Sequence, residues 1–187
     1  VHRVLFFFLI LGFLNSCAYR FGLTERQLPG GYTQVAVPMF KNRSQEVGIE
    51  PLFTNSMITH MERSQAAHVV DKDVAPVVLE GTIDSVVTTQ GAIKDSGNLL
   101  TLPSDSVLVT DYRLRVNATL NLRRKSDDKV IWTGSFTTEK VYQAPQIGTA
   151  VVNSADATYN QSARMQTLGL LAEEMMTEAH DRITENY

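Results

Sequence analysis

The hydrophobic pattern changes its period three times along the chain, and each change marks an element. From residue 77 apolar positions recur every second residue: Val77, Leu79 and Ile83 alternate with Glu80, Thr82 and Asp84. The clearest run is 111–122. There Tyr112, Leu114, Val116, Ala118, Leu120 and Leu122 point one way, and Asp111, Arg113, Arg115, Asn117, Thr119 and Asn121 point the other. Such alternation predicts an antiparallel strand with one buried and one wet face. The polar stretch RRKSDDK at 123–129 reads as a turn, and 130–142 as the returning strand with Trp132 and Phe136 in phase. Three long strands joined in chain order make a meander.

Before the meander the period is helical. Ile49, Leu52, Phe53, Met57 and Met61 fall on one stripe of a helix over 48–65, with Ser56 and His60 on the same stripe. Pro51 fits only the first turn of that helix. Residues 34–40 (QVAVPMF) read as a strand with Val35, Val37 and Met39 on one face. Pro38 places it near an edge or near its own end. Val69-Val70 reads as a short strand after the helix. A parallel pairing with the first strand would call for a right-handed crossover. After the meander a helix of residues 157–186 carries Leu168, Leu171, Ala172, Met175, Ala179 and Ile183 on one stripe, with Asp156 as its N-cap. Stretches 91–106 and 143–155 show neither period and read as long loops, a length that usually goes with function or mobility. The sum is an α+β two-layer sandwich: a mixed, mostly antiparallel sheet of four to five strands with two helices on one face.

The N-terminus follows a different rule. Residues 4–14 (VLFFFLILGFL) are all apolar or glycine and follow His2-Arg3. A bilayer span needs about 20 apolar residues, so this run is too short, but it fits the apolar region of a secretory signal of about 7–15 residues. Leu14-Asn15-Ser16-Cys17 comes next. Leu at −3, a small residue at −1 and Cys at +1 match the lipobox at which bacterial lipoproteins are cleaved and diacylated. The predicted organisation is a signal at 1–16, a lipidated tether at 17–33 closed by Leu28-Pro29-Gly30-Gly31, and one domain at 34–187. The sole cysteine, Cys17, would be the acylated residue. Ala18 in place of Asp matches an outer-membrane address.

Composition adds mainly exclusions. The 187 residues carry 17 Lys+Arg against 20 Asp+Glu, a net charge of −3. Removing the signal takes away Arg3 alone and leaves −4. That balance argues against a nucleic-acid binder. One cysteine allows neither an intramolecular disulfide nor a multi-thiolate metal site. No GxSxG, HExxH, GxGxxG or phosphate-loop spacing is present, and no nucleophile–base constellation emerges. His60 reads as a core or boundary histidine. His68 with Asp71 and Asp73 reads as surface around a turn rather than a metal site. Neither an enzyme nor a cofactor or metal protein is expected.

Order and spacing together resemble a known family. Cys17-Ala18-Tyr19-Arg20-Phe21, Leu28-Pro29, VAVPMFKNRSQ at 35–45, GIEPLFTNSM at 48–57 and HVVDKDVAPVVLEGTIDSV at 68–86 form the first half of the match. YRLRVNATLNL at 112–122, KVIWTGSF at 129–136 and the ending AHDRITENY complete it. The chain resembles the lipopolysaccharide-assembly lipoproteins, the LptE (RlpB-like) group, although Ala18 replaces the usual Gly and the two long loops match no motif. The resemblance implies an outer-membrane lipoprotein that sits as a plug inside the LptD-type β-barrel, helps that barrel assemble and binds lipopolysaccharide. It also implies basic ligand contacts on the sheet and its loops. The candidates are Arg113, Arg115, Arg123, Arg124, Lys125 and Lys129, with Arg113 and Arg115 first because they project from the open face. The competing expectation is another periplasmic interaction lipoprotein, of the CsgG-like or peptidoglycan-synthase-activator type, whose domains also open on a strand like VAVxxFxN.

Overall fold

The structure is a computed structural model and describes residues 26–91, 93–95, 107–109, 111–143 and 157–185. Cys17, the signal, Asp156 and positions 144–155 lie outside the described residues. Elements run β1 (Gln34–Ala36), β2 (Lys41–Asn42), α1 (Glu50–Ser64), β3 (His68–Val69), β4 (Val77–Gln90), β5 (Ile93–Asp95), β6 (Val107–Val109), β7 (Asp111–Arg124), β8 (Lys129–Gln143) and α2 (Ala157–Thr184). The main sheet has six strands in the order β3-β1-β4-β7-β8, with β2 also on β4. It is open and mixed. β1 is parallel to β3 and β4, whereas β4, β7 and β8 are the antiparallel meander. With two helices this is the expected α+β sandwich.

The period-two reading of β7 holds along the strand. Leu114, Val116, Ala118, Leu120 and Leu122 are each 0–1% exposed, while the alternate residues face away from the helices. Opposite them, Leu79 and Ile83 of β4 and Phe136 of β8 are buried in the same core. Gly81 is required there because a Cβ would lie 2.4 Å from the Phe40 ring, which covers the glycine. A bulge at Asp84 resets the phase of β4, so that Ile83 and Val86 both pack against the core.

The first strand departs from its predicted face. Val35 is buried, but Met39 is 59% exposed and Phe40 is 2% exposed instead. Pro38 ends the ladder at Ala36. The Phe40 N–H then donates to Thr54 Oγ1 at 3.0 Å, which turns the ring inward. Helix α1 is shorter than the predicted 48–65. Gly48 (φ 81) lies outside it in the left-handed region, and Gln65 (φ 56) ends it there. Pro51 stands in its first turn as expected. The 91–106 stretch is not wholly irregular, since Ile93–Asp95 pairs with Val107–Val109.

Helix α2 buries more than one stripe. Leu168, Leu171, Ala172, Met175, Ala179 and Ile183 are buried as predicted, and Met176, Thr167, His180 and Thr184 are buried as well. Met176, His180 and Thr184 lie on the flank that packs on α1, whereas Thr167 is half a turn round the helix from Met176. Across that contact His180 Nε2 lies 2.7 Å from Ser64 Oγ, and His60 Nε2 lies 3.0 Å from Thr177 Oγ1. Asp181 reaches both His180 Nδ1 (3.3 Å) and Arg26 of the incoming N-terminal segment (2.8 Å). Burial pushes the His180 pKa down, with Arg26 and His60 adding to the effect and Asp181 opposing it. Among the described residues no helix is long and apolar enough to cross a membrane.

Candidate functional site

The face of the sheet turned away from the helices carries the candidate chemistry. Its centre is a ladder of short polar side chains bonded across strands. Asn117 Nδ2 donates to Ser85 Oγ (2.8 Å), Thr137 Oγ1 to Asn117 Oδ1 (2.7 Å), Thr119 Oγ1 to Asp84 Oδ2 (2.7 Å) and Thr133 Oγ1 to Asn121 Oδ1 (2.6 Å). Such pairs fix side-chain rotamers, and the one charged member, Asp84, has Arg43 3.8 Å away.

The six basic candidates fall into two groups rather than one patch. Arg113 and Arg115 sit two residues apart on β7 and converge on one carboxylate of β8. Arg113 Nε lies 3.1 Å from Glu139 Oε1, and Arg115 Nη2 and Nε lie 2.7 and 2.9 Å from Glu139 Oε2. Two cations share one anion, so the cluster keeps an excess positive charge and several N–H donors. The residues beside it are apolar: Val87, paired with Arg115, is 46% exposed and Val141, paired with Arg113, is 53% exposed. Cations rimmed by exposed valines suit an amphiphile that carries anionic groups.

Arg123, Arg124, Lys125 and Lys129 gather at the β7–β8 hairpin. Eight residues of strand separate Arg115 from Arg123, about 27 Å at about 3.4 Å per residue. Most of their charge is used locally. Arg123 Nε meets Glu80 at 3.2 Å and its Nη1 donates to the Asp128 carbonyl at 2.9 Å. Arg124 forks onto Asp127 with two bonds of 2.9 Å. That pair and Tyr32 raise the Arg124 pKa, and the same fork holds the Asp127 carboxyl below its usual range. Lys125 Nζ donates to the carbonyls of Lys72 (2.8 Å) and Asp73 (2.7 Å), closing the loop before β4. Lys129 is exposed.

Among the described residues no group of three or more His, Cys, Asp or Glu is placed to hold a metal. His68 is exposed, 3.9 Å from Glu62, and His60 is the half-buried helix-contact residue already described.

Glu139, Val87 and Val141 escaped the sequence reading. Glu139 lies in the phase opposite to Trp132 and Phe136, so its face was legible. Its partner was not, because a bulge between Leu122 and Arg123 shifts the count from the turn by one residue.

The family model LptE, Lipopolysaccharide-assembly, matches residues 32–186. The chain belongs to the LptE family. No curated protein matches the LptE-family chain. Among solved structures it is similar to a putative neuraminyllactose-binding hemagglutinin homolog from Helicobacter pylori, with 11% identity over 86% of this chain and 89% of that one and a TM-score of 0.54. It is also similar to a PelC dodecamer from Paraburkholderia phytofirmans, with 13% identity over 82% of this chain and 90% of that one and a TM-score of 0.50. Rare lipoprotein B from Shewanella oneidensis matches at 18% identity, 80% and 89% coverage and a TM-score of 0.41, which is too low to bear on the fold. At these identities the likenesses concern the LptE-family fold alone.

Proposed function

We propose that this LptE-family chain is a non-enzymatic outer-membrane lipoprotein, anchored through acylated Cys17 and facing the periplasm. On this reading it plugs and helps assemble an LptD-type β-barrel and binds lipopolysaccharide. The observation that carries the reading is the family match across residues 32–186. Two features of the molecule support its parts. The hydrogen-bonded polar ladder on the outer sheet face suits a wet barrel lumen. The Arg113–Arg115 pair with its valine rim suits a phosphorylated amphiphile, because a guanidinium can bond a phosphate oxygen pair bidentately. A thioether-linked diacylglycerol plus an N-acyl chain would supply more than the two anchoring signals that stable membrane attachment requires.

Gentle detergent extraction should recover the chain with a large β-barrel at equal stoichiometry. Recovery as a free species, or with a peptidoglycan synthase, would reject the plug. For the site, lipopolysaccharide binding to residues 18–187 should weaken at least tenfold in Arg113→Glu/Arg115→Glu. Equal binding by both forms would remove the site assignment.

A further inference from the structure

The sheet has two edges, and they are finished differently: one is stepped, made of β3, β2 and residues 85–90 of β4, which among the described residues pair only with β7, and the other is β8 alone. At one edge β3 is two residues long. His68 and Val70 donate their N–H groups to the carbonyls of Thr33 and Val35, and the N–H of Val69 between them donates to Glu62 Oε1 at 2.6 Å. A carboxylate therefore caps the outward amide. At the other edge β8 is 15 residues long and, among the described residues, pairs only with β7. Antiparallel geometry turns the N–H and C=O of about every second residue away from β7.

Soluble proteins blunt such an edge with charges, proline or bulges. The irregularity in the β7–β8 pairing lies near the start of β8, and the charges of β8 are Lys129, Glu139 and Lys140 near its ends. Residues 130–138 (VIWTGSFTT) hold neither charge nor proline. Below this stretch the side chains are sealed. The rings of Trp132 and Phe136 close over Gly134, where a Cβ would meet them at 2.6 and 2.8 Å, and Arg182 of α2 lies 5.2 Å over the Phe136 ring. Above it Thr133, Ser135 and Thr137 are short, polar and exposed. Among the described residues the bare feature is thus the backbone line itself, and its chemistry selects its occupant: another extended backbone.

We infer that β8 is a docking edge for an extended segment of the barrel partner's polypeptide, which adds to the sheet as a seventh strand. This rests on the barrel partnership proposed above. A second copy of the chain is the poorer fit. Helix α2 already fills the layer under β8, with Glu174 paired to Lys140 and Arg182 over Phe136. A second copy would bring its own α2 into that layer, whereas an extended segment brings only side chains. Its fitting pattern is short polar residues beside Thr133 and Thr137, alternating with apolar residues beside Trp132 and Phe136.

Residue-resolved hydrogen exchange on the full chain in detergent, alone and in complex with its LptD-type barrel, tests this. In the complex the fast-exchanging amides of residues 132–138 should slow at least tenfold at alternate positions. The amides bonded to β7 should not change. Ser135→Lys alters an exposed position of β8 outside the hydrogen-bonded ladder, so the isolated chain should keep its melting curve while the complex weakens at least tenfold. A complex that forms with no new protection in β8 overturns the docking edge and leaves the barrel partnership standing. Absence of any complex overturns both. Concentration-dependent protection of β8 in the isolated chain would assign the edge to a second copy instead.

Discussion

The two faces of β7 are built from alternate residues of one strand, yet different forces hold them. On the inner face Leu114 to Leu122 are removed from water almost completely. Burial of a Leu or Val side chain stabilises by roughly 1.5–3 kcal/mol, so this face holds the sandwich together. On the outer face every side chain from Arg113 to Asn121 has a hydrogen-bond or ion-pair partner. There, bonds to protein replace bonds to water, and each exchange is worth only about 0.5–1.5 kcal/mol net. The fold therefore depends on one face, and the other is free to vary with what it contacts. Substitutions on the inner face should change stability, and those on the outer face should change binding.

The largest effect is expected from Leu120→Ala. Leu120 is fully buried between β4 and β8, and truncation leaves a cavity in the centre of the sheet. A loss of about 2–5 kcal/mol is expected in urea unfolding. A loss below about 1 kcal/mol would mean that this face does not carry the fold.

Next comes a pH effect under the same layer. His180 is 2% exposed, and its pKa is lowered by burial between α1 and α2. The unfolded histidine titrates near about 6.5, so below that pH the unfolded chain takes up a proton that the folded chain does not. Stability should be level above about pH 7 and fall as the pH drops through about 6.5, by at most about 1.4 kcal/mol per pH unit, until the folded pKa is reached. His180→Gln retains a group able to bond Ser64 and should flatten this dependence. An unchanged pH profile in the variant would place the titrating group elsewhere.

Glu139→Gln separates the faces in the other direction. Glu139 is about one-third exposed and holds two arginines that are about half exposed, so its ion pairs contribute at most about 1 kcal/mol after screening by solvent. Stability should barely move. Lipopolysaccharide binding should tighten several-fold, because Arg113 and Arg115 lose the carboxylate that competes with phosphate. Weaker binding would show instead that Glu139 orients the arginines for the ligand.

How much of this was legible depends on the range of the interaction. The alternation of Leu114 to Leu122 against Arg113 to Asn121 is local, and it gives both faces of β7 correctly. The stripe of α2 gives Leu168 to Ile183 for the same reason. What the pattern misses depends on contacts distant in sequence. Met176 and His180 join the core only because α1 packs against α2. The face of residues 39–40 differs from its alternation because Pro38 ends the ladder and a hydrogen bond to Thr54, 14 residues on, resets the chain. The pairing of Arg113 and Arg115 with Glu139 spans a bulged hairpin, and its register cannot be counted through the bulge. The distance between the two basic groups follows as soon as β7 is read as one continuous strand.

The smallest effect sharpens the comparison most. Thr119 lies directly between Leu120 and Ala118 in sequence but on the other face, and its Oγ1 donates to Asp84 Oδ2 at 2.7 Å. Thr119→Val keeps the shape and β-propensity and removes that bond. Asp84 stays partly exposed, with Arg43 3.8 Å away and water within reach, so the lost partner is readily replaced. A change of less than about 1 kcal/mol is expected in urea unfolding, together with unaltered lipopolysaccharide binding. Leu120→Ala and Thr119→Val then differ by one position in the chain and severalfold in cost. If Thr119→Val matched or exceeded Leu120→Ala, the outer ladder would be a second structural core, and Arg113 and Arg115 would belong to it rather than to a ligand.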